Sequence, residues 1–169
     1  MFEIRPEAPS DHERVFEVEA AAFERPNEAR LVDELRASAR PILSLVALSA
    51  GEIVGHAFFS PVTLEDHADA PPLGALAPLA VEPAHQGQGV GSALVRAGLE
   101  ACSAHDWRAV FLVGNPAYYG RFGFELAAPL GFLYESHAFD SVFQVVALGE
   151  NALSGYAGKV IFDPAFARA

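Results

Sequence analysis

Midway along the chain an apolar run of strand length, Leu76-Ala77-Pro78-Leu79-Ala80-Val81, ends at Glu82-Pro83. Three glycines then follow at alternate positions, Gly87, Gly89 and Gly91, and a helical repeat begins. From Gly89 the apolar spacing Val90, Leu94, Ala97, Ala101 predicts a helix to about Ala104. A strand that hands a glycine-rich turn to a helix N-terminus builds a cradle for an anion. The first-turn N–H groups lack intrahelical acceptors, and glycine lets a ligand come close to the backbone. The next apolar stretch, Ala109–Val113, reads as a strand that must run parallel to the first across this helix. Two nucleotide-binding patterns fail on spacing. G-x-G-x-x-G needs a glycine where Ser92 stands, and the phosphate loop ending G-K-[ST] has no lysine to use, since the one lysine is Lys159. A surface turn opening an ordinary helix remains the alternative reading of the segment alone.

The flanking sequence predicts an α/β domain with a mixed sheet. Phe2–Pro6 reads as a short strand stopped by proline, and Ser10-Asp11-His12-Glu13 has the capping-box spacing with Ser10 as N-cap. A helix should follow to about Phe23, burying Val15, Val18 and Ala22. After the break at Glu24-Arg25-Pro26-Asn27 a second should run over Glu28–Ser38, with Leu31 and Leu35 inward. The polar break between them makes a lip for a substrate site. Ile42–Ala50 and Ile53–Leu64 read as strands joined by a tight turn at Gly51-Glu52, the first of them central. Glu65–Pro72 is a loop whose acids could attract a cationic acceptor or simply be solvated. The organising strand itself spans about Gly74–Val81. Beyond Val113, Gly114-Asn115-Pro116 turns into a brief helix over Ala117–Phe122, and Phe132–Glu135, Ser141–Leu148 and Lys159–Phe162 are strand candidates. Strands that follow one another without a helix should pair antiparallel.

With 169 residues, 51% of them hydrophobic, one domain over 1–169 with a packed core is expected. The apolar runs, such as Pro41–Ala50, are too short to span a bilayer. Met1-Phe2-Glu3-Ile4-Arg5 puts an acid where a signal peptide has its basic region, and the single cysteine, Cys102, excludes an internal disulfide. A cytoplasmic protein is the expectation. Cys102 also falls at an apolar position of the helical pattern, which reads as a buried thiol rather than a nucleophile. The net charge of −11 disfavours nucleic acid and anionic membranes as partners. It disfavours an anionic ligand too, except that exposed charges are screened beyond roughly 8 Å while direct backbone donors are not. His12, His67, His85, His105 and His137 show no ligand spacing, so no metal is expected.

Gln86-x-x-Gly89-x-Gly91 after the strand Leu79-Ala80-Val81 resembles the pyrophosphate loop of the GCN5-related N-acetyltransferases. A second segment, Gly114-Asn115-Pro116-Ala117-Tyr118-Tyr119-Gly120-Arg121-Phe122-Gly123-Phe124, is similar to the tyrosine-before-Gly-Phe signature of the same superfamily, one helix and one strand downstream. Val54-Gly55-His56, Phe59-Ser60-Pro61-Val62, Gly158-Lys159-Val160 and Asp163-Pro164-Ala165-Phe166 extend the resemblance to the YhbS-like branch. It implies an acyl-CoA N-acyltransferase fold, with a mixed, mostly antiparallel sheet flanked by about four helices. It also implies acetyl-CoA as cosubstrate. Backbone groups of Leu79 and Val81 would pair with the pantetheine arm. The N–H groups of Gln86, Gly87, Gln88, Gly89, Val90, Gly91 and Ser92 would hold the pyrophosphate, and Asn115 would contact the arm. Tyr119 would face the thioester sulfur as general acid, since a neutral phenol is suited to protonate a departing thiolate. Where many relatives carry basic residues in the loop, this chain has His85 and Gln86.

The acceptor implied is a primary amine on a small molecule or a protein. Its pKa of about 10.4 makes baring the lone pair cost roughly 4–5 kcal/mol at neutral pH. The base stays open among Glu82, His56, Glu24, Glu28 and ordered water, because the strand Gly74–Val81 carries no acid. A non-catalytic acyl-CoA sensor is the alternative function. Monomer and homodimer are both compatible with the sequence.

Overall fold

The computed structural model describes residues 2–169. Strand β1 (Glu3–Pro6) leads through a 3-10 turn (Pro9–Asp11) into helix α1 (His12–Phe23), and α2 (Asn27–Ser38) follows. The N-cap of α1 is Asp11, not Ser10. Its carboxylate turns back to accept the Ala8 N–H at 2.7 Å and two Arg5 N–H groups at 2.7 and 3.1 Å. Those bonds, the Arg5 guanidinium first, hold the Asp11 carboxyl below its ordinary pKa. The carboxylate thus closes the 3-10 turn ahead of α1 and makes no side-chain cap bond to the helix itself, so α1 begins after the turn rather than at Ser10.

Next come β2 (Leu43–Ser49), β3 (Glu52–Leu64), β4 (Leu73–Val81), α3 (Val90–Ala104), β5 (Ala109–Val113) and α4 (Pro116–Tyr119). The chain ends with β6 (Glu125–Leu126), β7 (Phe132–Tyr134), β8 (Phe143–Ala147) and β9 (Gly158–Ile161). The β2–β3 turn sits at Ala50-Gly51, one residue before the predicted place. Both have positive φ, 52° and 83°, and Ser49 pairs with Glu52. Two left-handed residues in sequence match the twist of a two-residue hairpin.

Hydrogen bonding orders the strands β1-β2-β3-β4-β5-β8-β6, with β9 pairing β3 and β7. β1–β2, β2–β3, β3–β9, β5–β8 and β6–β8 are antiparallel, while β4–β5 is parallel across α3 as the crossover rule requires. The parallel pairing of β7 with β9 was not anticipated, and neither was the two-residue β6. Among the described residues no helix is long and apolar enough to cross a membrane.

Backbone contacts divide the chain into two compact units. The first holds Met1–Ser60, Leu76–Glu100 and Pro164–Ala169; the second holds Pro61–Ala75 and Ala101–Asp163. In the first, Val15 and Val18 of α1 pack on Val46, Leu48, Ile53 and Ala80, with Ala22 partly buried beside them. Leu31, Val32 and Leu35 of α2 pack on Phe58. Two glycines let α3 lie close to β3. A Cβ at Gly55 would fall 2.8 Å from Val90 and 3.0 Å from Leu94, and one at Gly98 would fall 2.2 Å from the Phe59 ring. In the second unit Phe111, Phe132 and Phe143 form the centre of an apolar cluster, and Trp107 covers Gly74 so closely that no Cβ fits there.

Candidate functional site

The close fit of α3 on Gly55 fixes where that helix begins, and with it the turn ahead of it. Val90 is buried, whereas Gln86, Gly87, Gln88 and Gly89 are exposed. Gly87 and Gly89 have φ of 75° and 89°, the left-handed region, and nothing lies within 4 Å of where a Cβ would stand on either. Ala93 donates its N–H to Gly89 O at 3.0 Å, so the helical ladder starts there. The N–H groups of Val90 and Gly91 precede any intrahelical acceptor. The turn is thus open on the outside and rich in backbone donors at the positive end of a 15-residue helix. That arrangement takes an anion.

Side chains of the turn reach back to the strand it leaves. Gln86 Nε2 donates to Val81 O at 3.0 Å, and Gln88 Nε2 approaches Ala84 O at 3.5 Å. The Val81 carbonyl, one of the backbone groups that the resemblance assigns to the pantetheine arm, therefore has a protein donor. Among the described residues the β4–β5 register pairs Leu73–Ala75 and no residue of β4 from Leu76 to Val81. Strand backbone left without such pairing can take an extended ligand as an added strand. Glu82, at the strand end, accepts both of its bonds from Arg14 Nη2, at 3.0 and 3.1 Å, and Arg14 Nε donates to Ile53 O at 3.1 Å. Arg14 was not singled out from sequence. It ties α1 to the strand end and neutralises the carboxylate next to the turn.

In the second unit Asn115 caps α4, its Oδ1 accepting the Ala117 N–H at 2.9 Å and its carbonyl accepting the Tyr118 and Tyr119 N–H groups, both at 3.0 Å. With both oxygens engaged, its side chain has the amide NH2 left for a ligand. The half-buried Tyr119 ring packs edge-on against Tyr118 and Phe124, with centroids 4.9 and 5.8 Å away. A Cβ on Gly114 would come within 2.6 Å of the ring, so only glycine admits it. The Tyr119 hydroxyl donates to no protein acceptor among the described residues. Burial, with Tyr118 adding, pushes its pKa up to about 12, which keeps it a neutral donor.

The candidate bases fare unevenly. His56 is fully buried, its Nδ1 2.7 Å from Glu19 Oε1 and its Nε2 2.8 Å from Ser44 Oγ. Burial lowers its pKa to about 3, with Arg36 and His12 adding. No amine reaches it. Glu28 is bound by Arg25 at 2.5 and 3.0 Å, and Glu24 is an exposed residue at the end of α1 with φ of 56°. Cys102 is buried in the second unit, and burial raises its thiol to about 12, so it holds no thiolate near neutrality. Among the described residues no group of three or more His, Cys, Asp or Glu gathers to hold a metal.

Comparison with known proteins agrees with this geometry. The sequence matches the family model described as Acetyltransferase (GNAT) domain over residues 3–127. It is 38% identical over 166 residues, 98% of both chains, to YhbS of Escherichia coli K12, an uncharacterised N-acetyltransferase. A second E. coli N-acetyltransferase, YjhQ, likewise uncharacterised, is 45% identical over 121 residues, 70% of this chain and 67% of that one. The crystal structure of E. coli YhbS in complex with CoA superposes with a TM-score of 0.91 at 36% identity, covering 99% of this chain and 92% of that one. A GNAT acetyltransferase from Brucella melitensis in complex with acetyl-CoA gives 0.80 at 34% identity, covering 98% of both. The turn, the strand edge and the tyrosine thus stand in a chain that belongs to the GNAT family of acetyltransferases.

Proposed function

We propose that the protein transfers an acetyl group from acetyl-CoA directly to a primary amine on a small-molecule or protein acceptor. The observation that carries this reading is the turn before α3, where Gly87 and Gly89 lie in the left-handed region and nothing stands within 4 Å of where a Cβ would sit on either. The residues present fit a coenzyme A diphosphate by that test. The CoA and acetyl-CoA found in the YhbS and Brucella structures support the same ligand. The N–H groups from Gln86 to Ser92 hold the diphosphate, the backbone at Leu79 and Val81 aligns the pantetheine arm, and the Asn115 NH2 adds a contact to it. Gln86 releases Val81 O when the arm arrives, a swap of one hydrogen bond for another.

Acetyl-CoA supplies an activated acyl carbon: the amine lone pair forms the C–N bond while the carbonyl π pair moves onto oxygen, and on its return the C–S bond breaks with the electron pair leaving on sulfur. Tyr119 gives its hydroxyl proton to that sulfur. With a pKa of about 12 it is a weaker acid than a thiol at roughly 8.5, so it donates a hydrogen bond as charge builds and completes the transfer only as the bond breaks. The Val81 N–H faces the developing oxyanion. With His56 enclosed and Glu82 and Glu28 committed to arginines, Glu24 and ordered water are left to carry away the amine proton and restore Tyr119. Cys102, buried and un-ionised, leaves direct transfer as the route. The site sits in a cytoplasmic protein on this reading.

Thiol release measured across an amine panel tests the proposal. Tyr119→Phe is expected to lower kcat by about 10²–10⁴-fold with little change in acetyl-CoA affinity. In the wild type kcat/KM should climb with pH as the acceptor deprotonates and show no basic decline below about pH 11, because Tyr119 is protonated throughout. Tight acetyl-CoA binding without release on any amine would favour a sensor, and full kcat in Tyr119→Phe would remove the acid.

A further inference from the structure

Strand β8 carries a glutamine where its neighbours are apolar. Gln144 stands between Phe143 and Val145, and all three are buried. Its Nε2 donates to Gly114 O at 3.0 Å and to Val142 O at 3.2 Å, while its Oε1 has no partner at all. An apolar side chain would leave no orphaned acceptor in the core, so the amide is kept for its donor end. What that end grips is the point where the chain leaves β5 for the Asn115 cap. Gly114 N–H also donates to Val142 O at 3.0 Å, so both polar groups of Gly114 are tied to β8 or to the residue just before it. The next residue, Asn115, takes the N–H groups of Tyr118 and Tyr119 on its carbonyl and caps α4 with its side chain. The Tyr119 ring, in turn, rests on the bare α-carbon of Gly114.

We infer that Gln144 is a positioning residue for Tyr119: its amide clamps the Gly114 carbonyl, which sets both the start of α4 and the seat on which the Tyr119 ring rests. The inference builds on the acid role given to Tyr119 above. Gln144 touches no substrate, and its effect passes through one peptide plane. Reaction geometry is sensitive at this scale, since a misplacement of about 1 Å can cost roughly 100-fold in rate.

The test uses the full chain labelled with 13Cζ-tyrosine, the Tyr119 resonance being assigned by its loss in Tyr119→Phe. Gln144→Met removes the donor at similar length and volume. It should shift the Tyr119 resonance and lower kcat about 10–100-fold, with acetyl-CoA affinity by calorimetry within about twofold of the wild type. In the Tyr119→Phe background the same change should add no further loss. Gln144→Glu serves if the methionine variant does not fold. Its buried carboxyl donates to Gly114 O while protonated, so kcat should approach wild type at low pH and fall as that group ionises, a pH dependence the parent lacks. A folded Gln144→Met with an unmoved Tyr119 resonance and full kcat would overturn the inference. So would an equal loss with and without Tyr119, or a Gln144→Glu variant with the parental pH profile. Full kcat in Tyr119→Phe would instead sink the acid reading, leaving the resonance shift to judge Gln144 on its own.

Discussion

Glu19 sits on α1 with none of its surface exposed, and its protonation state follows from a chain of hydrogen bonds. Ser44 Oγ donates to Glu7 Oε1 at 3.1 Å, a carboxylate held by Arg36 at 2.5 and 3.1 Å. Ser44 then accepts from His56 Nε2–H, which leaves Nδ1 as an acceptor, and its partner Glu19 Oε1 must carry a proton. Burial raises the Glu19 pKa well above its ordinary value, in agreement, and Glu19 Oε2 is left as an unpaired neutral oxygen. The two groups bend stability in opposite directions. Below about pH 6.5 the unfolded chain protonates His56 while the fold keeps it neutral down to about 3, so stability is lost as pH falls. Above about pH 4.5 the unfolded chain ionises Glu19 while the fold does not, so stability is lost as pH rises. Glu19→Gln keeps a donor to His56 and cannot ionise. It should raise Tm at pH 8 by at least about 3 °C and leave it nearly unchanged at pH 4.5. Thermal melts at both pH values check this, and a lower Tm at pH 8 would mean an ionised Glu19. The sequence carried a signal here: Glu19 is four residues after Val15, on the inward stripe of the helix. Partners on other elements, Ser44 on β2 and the buried His56 on β3, leave no local trace, so the network itself was not legible.

At the scale of elements, α3 is placed by what is missing from its face. Gly98→Ala would drive a methyl into the fully buried Phe59 ring, 2.2 Å from its ideal position. A cost of about 1–3 kcal/mol is expected, read as an earlier urea midpoint with an unchanged m-value. A neutral result would mean that the helix stands off further than the structure shows. The strand–turn–helix unit around this face was readable because three glycines at fixed spacing have few other uses, and the parallel β4–β5 pair follows from the crossover alone. The Ala50-Gly51 turn was missed by one residue because alanine is a poor marker of positive φ. β6, with two residues, shows no period, and the β7–β9 pair joins strands more than 20 residues apart with no helix to announce a parallel connection. Of the candidate site, the turn and Tyr119 were legible as types in a pattern. The grip of Gln86 on Val81, the cap role of Asn115 and the Arg14–Glu82 pair depend on where side chains end, which spacing does not report.

For the molecule as a whole, the charge of −11 sets how an anionic cosubstrate can bind. Lys159 is the one lysine, the turn itself carries no lysine or arginine, and the nearest acid, Glu82, is already paired with Arg14. Affinity therefore rests on short-range backbone donors rather than a basic field. Between about 50 and 300 mM NaCl the Kd for acetyl-CoA should change by less than about threefold, and any trend should be toward tighter binding as repulsion is screened. A steep weakening with salt would indicate basic contacts that this reading does not include.

Cosubstrate binding depends most on peptide nitrogens between Gln86 and Ser92 gripping a diphosphate. Titration of 15N-labelled protein with coenzyme A, followed through amide 1H–15N shifts, measures this directly. Gly87, Gly89 and Gly91 should move most, with downfield amide protons expected of new hydrogen bonds to phosphate oxygen. Saturable binding that leaves those three amides in place would contradict the account.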